Sequence, residues 1–106
     1  MILRIVHAAV PPEKKKAYID FINSSLAPGI RNFPGCHFLY VADCVERGHE
    51  NEVIYVSGWD SMESCDKLEK TDLYPGEVVK VKSFYTDRYR EHGATHIHYR
   101  TFADFP

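Results

Sequence analysis

The chain has 106 residues, 44% of them hydrophobic and 26% charged, which suits one domain with a single core (residues 1–106). Its 13 basic and 15 acidic residues leave a net charge of −2 without a basic stripe, so nucleic acid is not an expected partner. The apolar runs are too short to span a membrane, and no signal-peptide pattern follows Met1. Because the three cysteines also lack a Cys-x-x-Cys spacing, we expect reduced thiols and a cytoplasmic protein.

The first part of the chain predicts a strand, a helix and a turn. Residues Ile2–Val10 are apolar and rich in β-branched side chains, and Pro11–Pro12 end this strand where proline readily begins a helix. Apolar residues then recur at helical spacing over Glu13–Leu26, opposite a run of lysines. Pro34-Gly35 predicts a turn that leads into the next strand.

A hairpin and a second helix follow. Cys36–Cys44 and Glu52–Trp59 have the β-branched and aromatic composition of strands, and they flank a short polar loop. Asp60 and Glu63 resemble a capping box with the aspartate as the cap, so we expect a helix to begin near Ser61.

The last third of the chain predicts a further helix and a final strand. Residues 77–89 fit both the alternation of a strand and the spacing of a helix, and we favour the helix. Thr95–Phe102 predicts the last strand. The order strand, helix, strand, strand, helix, strand indicates an α+β, ferredoxin-like βαββαβ fold, whose antiparallel sheet places the first strand between the third and the fourth.

Both faces of the hairpin are predicted to be apolar. Pairing of Val45 with Glu52 would place Phe38, Tyr40, Tyr55 and Trp59 on one face and Leu39, Val41, Ile54 and Val56 on the other. An open antiparallel sheet usually has one polar face. We therefore expect the second face to be covered by another copy of the chain, in a homodimer.

Two motifs resemble the antibiotic biosynthesis monooxygenase-like family. They are the turn Pro34-Gly35-Cys36 and the strand–helix junction Trp59-Asp60-Ser61-Met62-Glu63, and the resemblance extends over most of the chain. It implies a dimeric α+β barrel, in which two sheets form a shared barrel with the helices outside. Several family members oxidise phenolic or quinol-type substrates with molecular oxygen and neither metal nor flavin, whereas others degrade haem or isomerise small metabolites.

The resemblance implies a cofactor-independent monooxygenase that acts on a small aromatic hydroxyl or quinol compound. The alternatives are a non-catalytic barrel that binds a small aromatic or apolar ligand or responds to stress, and an isomerase of a small metabolite. Haem-degrading members carry a histidine on the second helix, where Lys67 to Lys70 contain none, and cofactor-free monooxygenases carry an asparagine where this chain has Tyr55. The missing histidine argues against haem, so no cofactor is expected, whereas Tyr55 departs from the pattern of the cofactor-free monooxygenases.

The predicted catalytic residues are His7, Tyr55 and Trp59. A neutral histidine is a suitable general base for a phenol, and the two aromatic rings are suited to stack on the substrate. The alternative for His7 is a buried histidine that is hydrogen-bonded to the backbone or to a tyrosine, and the alternative for Trp59 is a role in packing alone. In the expected sheet, His96 or His98 lies beside His7.

The remaining predictions concern substrate contacts and metals. Arg31 and Asn32 are predicted to orient the substrate near the Trp59 end of the sheet, with a solvated charge or helix end as the alternative. Phe38 and Tyr40 are predicted to contact it from the expected pocket face. His7, His96 and His98 include an edge-strand His-x-His pair, which is more often solvated than bound to metal, so no metal is predicted.

Overall fold

The computed structural model describes residues 1–71 and 73–106, without the side chains of residues 73–76. Strands and helices follow the predicted order, with a π-helical segment and a short helix after the first helix and another short helix just before the last strand. The elements are β1 (Ile2–Ala9), α1 (Pro12–Phe21), a π-helical segment (Ile22–Leu26), α2 (Ala27–Arg31), β2 (Cys36–Asp43), β3 (Glu52–Trp59), α3 (Met62–Lys70), α4 (Leu73–Lys82), α5 (Asp87–His92) and β4 (Thr95–Arg100).

The four strands form one antiparallel sheet in the order β2-β3-β1-β4. The helices cover one face of the sheet. Along β1 and β3, buried residues that point toward the helices alternate with residues that point away from them. The ferredoxin-like α+β fold and the central position of β1 are therefore confirmed. None of the described helices is both long and apolar enough to cross a membrane.

The helix predicted over Glu13–Leu26 changes its hydrogen-bonding pattern halfway. The amide of Ala27 bonds to the carbonyl of Ile22, five residues back, as in a π-helix. Asn23 Nδ2 donates to the carbonyl of Ile19 (3.1 Å) and Ser24 Oγ donates to that of Asp20 (2.7 Å), so side chains bond to carbonyls four residues back. The wider turn precedes Pro28, which has no amide hydrogen to offer to a regular helix.

The helix favoured over residues 77–89 is confirmed at both ends and interrupted in the middle. Residues 77–82 belong to α4 and residues 87–89 to α5. Between the helices, Tyr85 is buried in the core and the amide of Thr86 donates to the carbonyl of Ala9 (2.9 Å). Because the amide of Thr86 bonds to the end of β1, it does not form a helical hydrogen bond, and the helix is interrupted here.

The predicted pairing of the hairpin is wrong by one residue. Asp43 lies opposite Val53, and the amide of Cys44, not of Val45, bonds to the carbonyl of Glu52 (2.9 Å). A shift of one residue moves every side chain of a strand to the other face. Phe38 and Tyr40 therefore lie on the face away from the helices, which we call the outer face. Tyr55, Trp59, Leu39 and Val41 lie on the helix face.

The junction between β3 and α3 also differs from the prediction by one residue. Ser61, not Asp60, caps the helix, because its Oγ accepts from the amide of Ser64 (3.3 Å). Asp60 instead follows the end of β3, and its amide donates to the carbonyl of Gly35 (3.0 Å). Gly35 has a φ of 94° and a Cβ at this position would lie 2.5 Å from Ser64 Oγ, so the turn and the helix start approach each other closely.

Candidate active site

A cavity of about 250 Å³, which we call the central cavity, lies between the sheet and helices α2, α4 and α5. Its walls are mostly apolar, and polar groups enter from several elements, a combination typical of small-molecule sites. The apolar side chains are those of Val6, Leu26, Ile30, Val78, Val81 and Ala94, and the polar ones are those of Arg4, Tyr55, Lys82, Tyr85, His92 and His96.

Arg4 is a buried charge at the base of the central cavity. Only 1% of its side chain is exposed, and its Nε donates to Glu69 Oε1 (3.1 Å). His98, which is directly opposite Arg4 on β4, has its Nε2 3.4 Å from the same carboxylate oxygen. A buried guanidinium requires a charged or hydrogen-bonded partner, and Glu69 on α3 supplies one. Arg4 and Glu69 thus tie the first strand to the helix that follows Trp59.

His96 extends from β4 to the edge of the central cavity and is held in one tautomer. Its Nδ1 lies 3.0 Å from the carbonyl oxygen of Ala94, which can only accept, so the proton of the neutral ring is on Nδ1 and the lone pair on Nε2. His96 is exposed at the edge of the sheet, but partial desolvation of its ring, together with the positive charge of Arg4, lowers the pKa of His96 from its ordinary value. The ring is therefore a neutral base near pH 7.

Three buried tyrosines form a chain of hydroxyl groups across the core. Tyr18 Oη donates to Tyr55 Oη (2.6 Å), and Tyr55 Oη lies 3.1 Å from Tyr85 Oη. Burial raises the pKa of both Tyr18 and Tyr55 above the ordinary value. These hydroxyls consequently stay protonated and act as hydrogen-bonding groups, and those of Tyr55 and Tyr85 belong to residues that line the central cavity.

Comparison with known protein families identifies the family of this chain. The family model for antibiotic biosynthesis monooxygenases matches residues 1–75. The chain belongs to this family. No curated protein matches the sequence. The matched residues contain all elements from β1 to α3, whereas Tyr85 and His96 lie after the match.

Solved structures share the fold at low sequence identity. A protein from Bordetella bronchiseptica with a provisional assignment as an antibiotic biosynthesis monooxygenase is 13% identical with a TM-score of 0.78, over 96% of this chain and 97% of that one. A protein from Deinococcus radiodurans with the same provisional assignment is 13% identical with a TM-score of 0.77, over 100% and 97%. A conserved protein from Methanosarcina mazei is 17% identical with a TM-score of 0.75, over 93% and 90%. At these identities the likeness shows the fold alone.

The three residues predicted as catalytic do not share one face in this family member. Tyr55 lines the central cavity. Trp59 is fully buried on the same face, but it lines neither of the two cavities that we describe, and its Nε1 donates to Ser57 Oγ (2.8 Å). His7 lies on the outer face, opposite Ile54 and Thr95, and is exposed rather than buried.

The residues predicted to bind substrate lie away from the central cavity. Phe38 and Tyr40 contact each other on the outer face, with ring centroids 5.7 Å apart. Arg31 Nη1 donates to the carbonyl of Cys36 (3.0 Å), and Asn32 is exposed at the end of α2. Their roles toward a substrate stay predictions.

The expected neighbourhood of His7 is corrected by the pairing of β1 with β4. His7 lies opposite Thr95, and His96 lies opposite Val6, so His7 and His96 are on different faces of the sheet. Within residues 1–71 and 73–106, no three histidine, cysteine or acidic side chains are grouped as metal ligands. Arg4 and His96 were not chosen from the sequence as site residues. The one available signal was a charged residue within the apolar first strand, which marks a polar group on a buried face.

Proposed function

We propose that this protein is a cofactor-independent monooxygenase that oxidises a small aromatic hydroxyl or quinol compound in the central cavity. The observation that carries the proposal is the His96 ring, with its Nδ1 hydrogen-bonded to the Ala94 carbonyl, at the edge of a mostly apolar cavity that Tyr55 and Tyr85 also line. The family to which the chain belongs supports the reaction class. His96 thus replaces His7 as the favoured base, because His7 lies on the outer face.

The proposed chemistry needs a base and a shielded binding site. His96 Nε2 accepts the proton of the substrate hydroxyl, and one hydroxyl of the hydrogen-bonded pair Tyr55 and Tyr85 donates to the resulting oxyanion. The apolar walls reduce the contact of the electron-rich ring with water. The phenolate then reacts with molecular oxygen at a ring carbon, where a C–O bond replaces a C–H bond and the second oxygen atom leaves as water. The inserted atom becomes the second carbonyl of a quinone when the substrate is a phenol or an anthrone, and a hydroxyl on the quinone ring when it is a quinol. All four electrons come from the substrate, so the reaction balances without another reductant.

Oxygen uptake tests the proposal. We expect the wild-type protein to consume oxygen above the uncatalysed rate with at least one member of a panel of anthrones, naphthols and naphthoquinols, in the presence of a chelator. With ¹⁸O₂, one labelled atom should enter the product and one should appear in water. Uptake without label in the product would indicate an oxidase, and tight binding without uptake would favour the non-catalytic binding barrel.

We further propose that the protein is a homodimer formed through the outer face. One row of apolar side chains crosses all four strands on this face, because Tyr40 lies opposite Val56, Val56 opposite Ile5, and Ile5 opposite Ile97. Tyr40 is 69% exposed and Ile97 is 41% exposed in the single chain. A continuous apolar stripe across a sheet marks an interaction surface, and a two-fold partner would bury it against an identical stripe.

Sedimentation equilibrium at micromolar concentration is expected to give the mass of a dimer. Ile97→Lys should shift the protein toward monomer, since it places a charge in the apolar row. Ala17→Lys on the exposed side of α1 is the matched control and should stay dimeric. A wild-type monomer, or a dimer that Ile97→Lys leaves intact, would contradict this interface. The cytoplasmic location expected from the sequence stays a prediction.

A further inference from the structure

A second cavity of about 290 Å³, which we call the lateral cavity, lies between the first helical segments and strands β2 and β3. Residues of α1, the π-helical segment and the start of α2 form one wall, and residues of β2 form the other. The lining residues are Lys15, Tyr18, Ile19, Ile22, Asn23, Ala27, Leu39, Val41, Ala42, Asp43 and Val53. Among the residues that the structure describes, none lines both cavities, so the lateral cavity is separate from the proposed active site.

The π-helical segment forms part of this cavity. Ile22 and Asn23 belong to the segment and line the cavity, and Ala27, which closes the π-type hydrogen bond to Ile22, lines it as well. A π-turn is unfavourable compared with a regular helical turn, and such turns occur frequently at functional sites. The π-helical segment, an uncommon backbone conformation, therefore shapes one wall of the lateral cavity.

The chemistry of the lining defines the ligand. Its interior is mostly aliphatic, with Tyr18 as the aromatic member, and its rim holds the exposed Asn23 and the ion pair of Lys15 Nζ and Asp43 Oδ2 (3.3 Å). These opposite charges cancel, so neither an anion nor a cation gains much from the rim. The Lys15 ammonium has three N–H groups, of which one donates to Asp43 and one to the carbonyl of Glu50 (3.0 Å). One N–H is left for an acceptor on a ligand.

We propose that the lateral cavity is a second binding site, for a small neutral molecule with an apolar body and one oxygen acceptor that meets Lys15. A cavity of about 150 Å³ holds a benzene molecule, so 290 Å³ suits one to two rings. The site is independent of the monooxygenase proposal. Tyr18 lines the lateral cavity and bonds to Tyr55 of the central cavity, so an occupant of the one site is two side chains from the other.

Two probes of similar shape test the proposal, acetophenone with a carbonyl acceptor and ethylbenzene without one. Methyl-detected NMR of the full chain should show acetophenone shifting Ile19, Ile22, Leu39 and Val41, which line the cavity. Acetophenone should bind roughly tenfold more tightly than ethylbenzene, as expected for a hydrogen bond from a charged donor. Lys15→Met should remove that difference and leave ethylbenzene binding unchanged.

A substitution that fills the lateral cavity gives a second test of the proposal. Ala27→Leu should weaken both probes at least tenfold, because its side chain enters the cavity, whereas Ala17→Leu on the exposed side of α1 should not. Equal binding by Ala27→Leu, or shifts confined to Val6, Leu26 and Val81 of the central cavity, would overturn the proposal. The proposal would also be overturned if the probes bound only after Phe102→Ser and Phe105→Ser. That result would mean that the exposed C-terminal phenylalanines of a second copy occupy the cavity.

Discussion

His96→Gln is expected to lower the rate of oxygen uptake about 100- to 10,000-fold, the usual contribution of a general base. Glutamine has a similar reach and cannot take the proton of the substrate. The hydrogen bond to the Ala94 carbonyl keeps the ring proton on Nδ1, so Nε2 carries the lone pair that acts as the base. The substitution removes this nitrogen. His49→Gln in the exposed loop between β2 and β3 is the matched control and should leave the rate unchanged.

The pH profile gives an independent check of the base. Partial desolvation of the ring lowers the pKa of His96 below its ordinary value of 6.5. The neutral form that acts as a base is therefore already dominant at pH 7, and kcat/KM should fall only as the pH drops through a value below 6.5. An imidazole titration followed by NMR should locate the same value. A profile with its acidic limb above 6.5 would contradict the assignment.

His7→Gln separates the two candidate bases. The central cavity and His7 lie on opposite faces of the sheet, so a substrate bound in the cavity cannot reach His7. Loss of activity in His7→Gln with retention in His96→Gln would place the reaction on the outer face and support the role that the sequence predicts for His7. The reverse result supports the central cavity.

Trp59→Ala is expected to lower the free energy of unfolding by about 3–5 kcal/mol, the range for deletion of a buried aromatic side chain. The indole is 0% exposed and packs against Phe33, with ring centroids 6.2 Å apart. Its Nε1 also donates to Ser57 Oγ, which in turn contacts the carbonyl of Arg4. The ring thus joins the end of β3 to the turn between α2 and β2 and, through Ser57, to the backbone of β1.

Trp59→Phe is the graded control for this substitution. Phenylalanine retains most of the apolar volume and loses the N–H, so we expect a smaller loss of about 1–2 kcal/mol. Urea unfolding at one fixed protein concentration measures both variants, because a dimer makes apparent stability depend on concentration. A loss below about 1 kcal/mol for Trp59→Ala would contradict the packing role.

Substitution at Trp59 also separates packing from contact with substrate. Trp59 lines neither described cavity, so Trp59→Phe should change oxygen uptake much less than His96→Gln does. A loss of rate as large as that of His96→Gln, in a variant with nearly normal stability, would favour the catalytic role predicted from the sequence.

The sequence by itself determined the elements and their order. The strands predicted over Ile2–Val10 and Glu52–Trp59 from their apolar, β-branched and aromatic residues match the observed strands within one residue, since strand composition is a local property of the chain. The turn at Pro34-Gly35 depends on a glycine with positive φ, which is also a local requirement. The family resemblance rested on motifs at these same places and was confirmed by the match over residues 1–75.

The tertiary structure decided which of these residues meet. The conformation of the loop between β2 and β3 determines whether Val45 or Cys44 pairs with Glu52, and composition does not specify it. That one-residue difference moved Phe38 and Tyr40 to the outer face. The proximity of Arg4, Glu69 and His96 depends on strand pairing and helix packing between distant parts of the chain, so no local pattern reports it. The sequence therefore identified the scaffold, and the contacts between its elements identified the base.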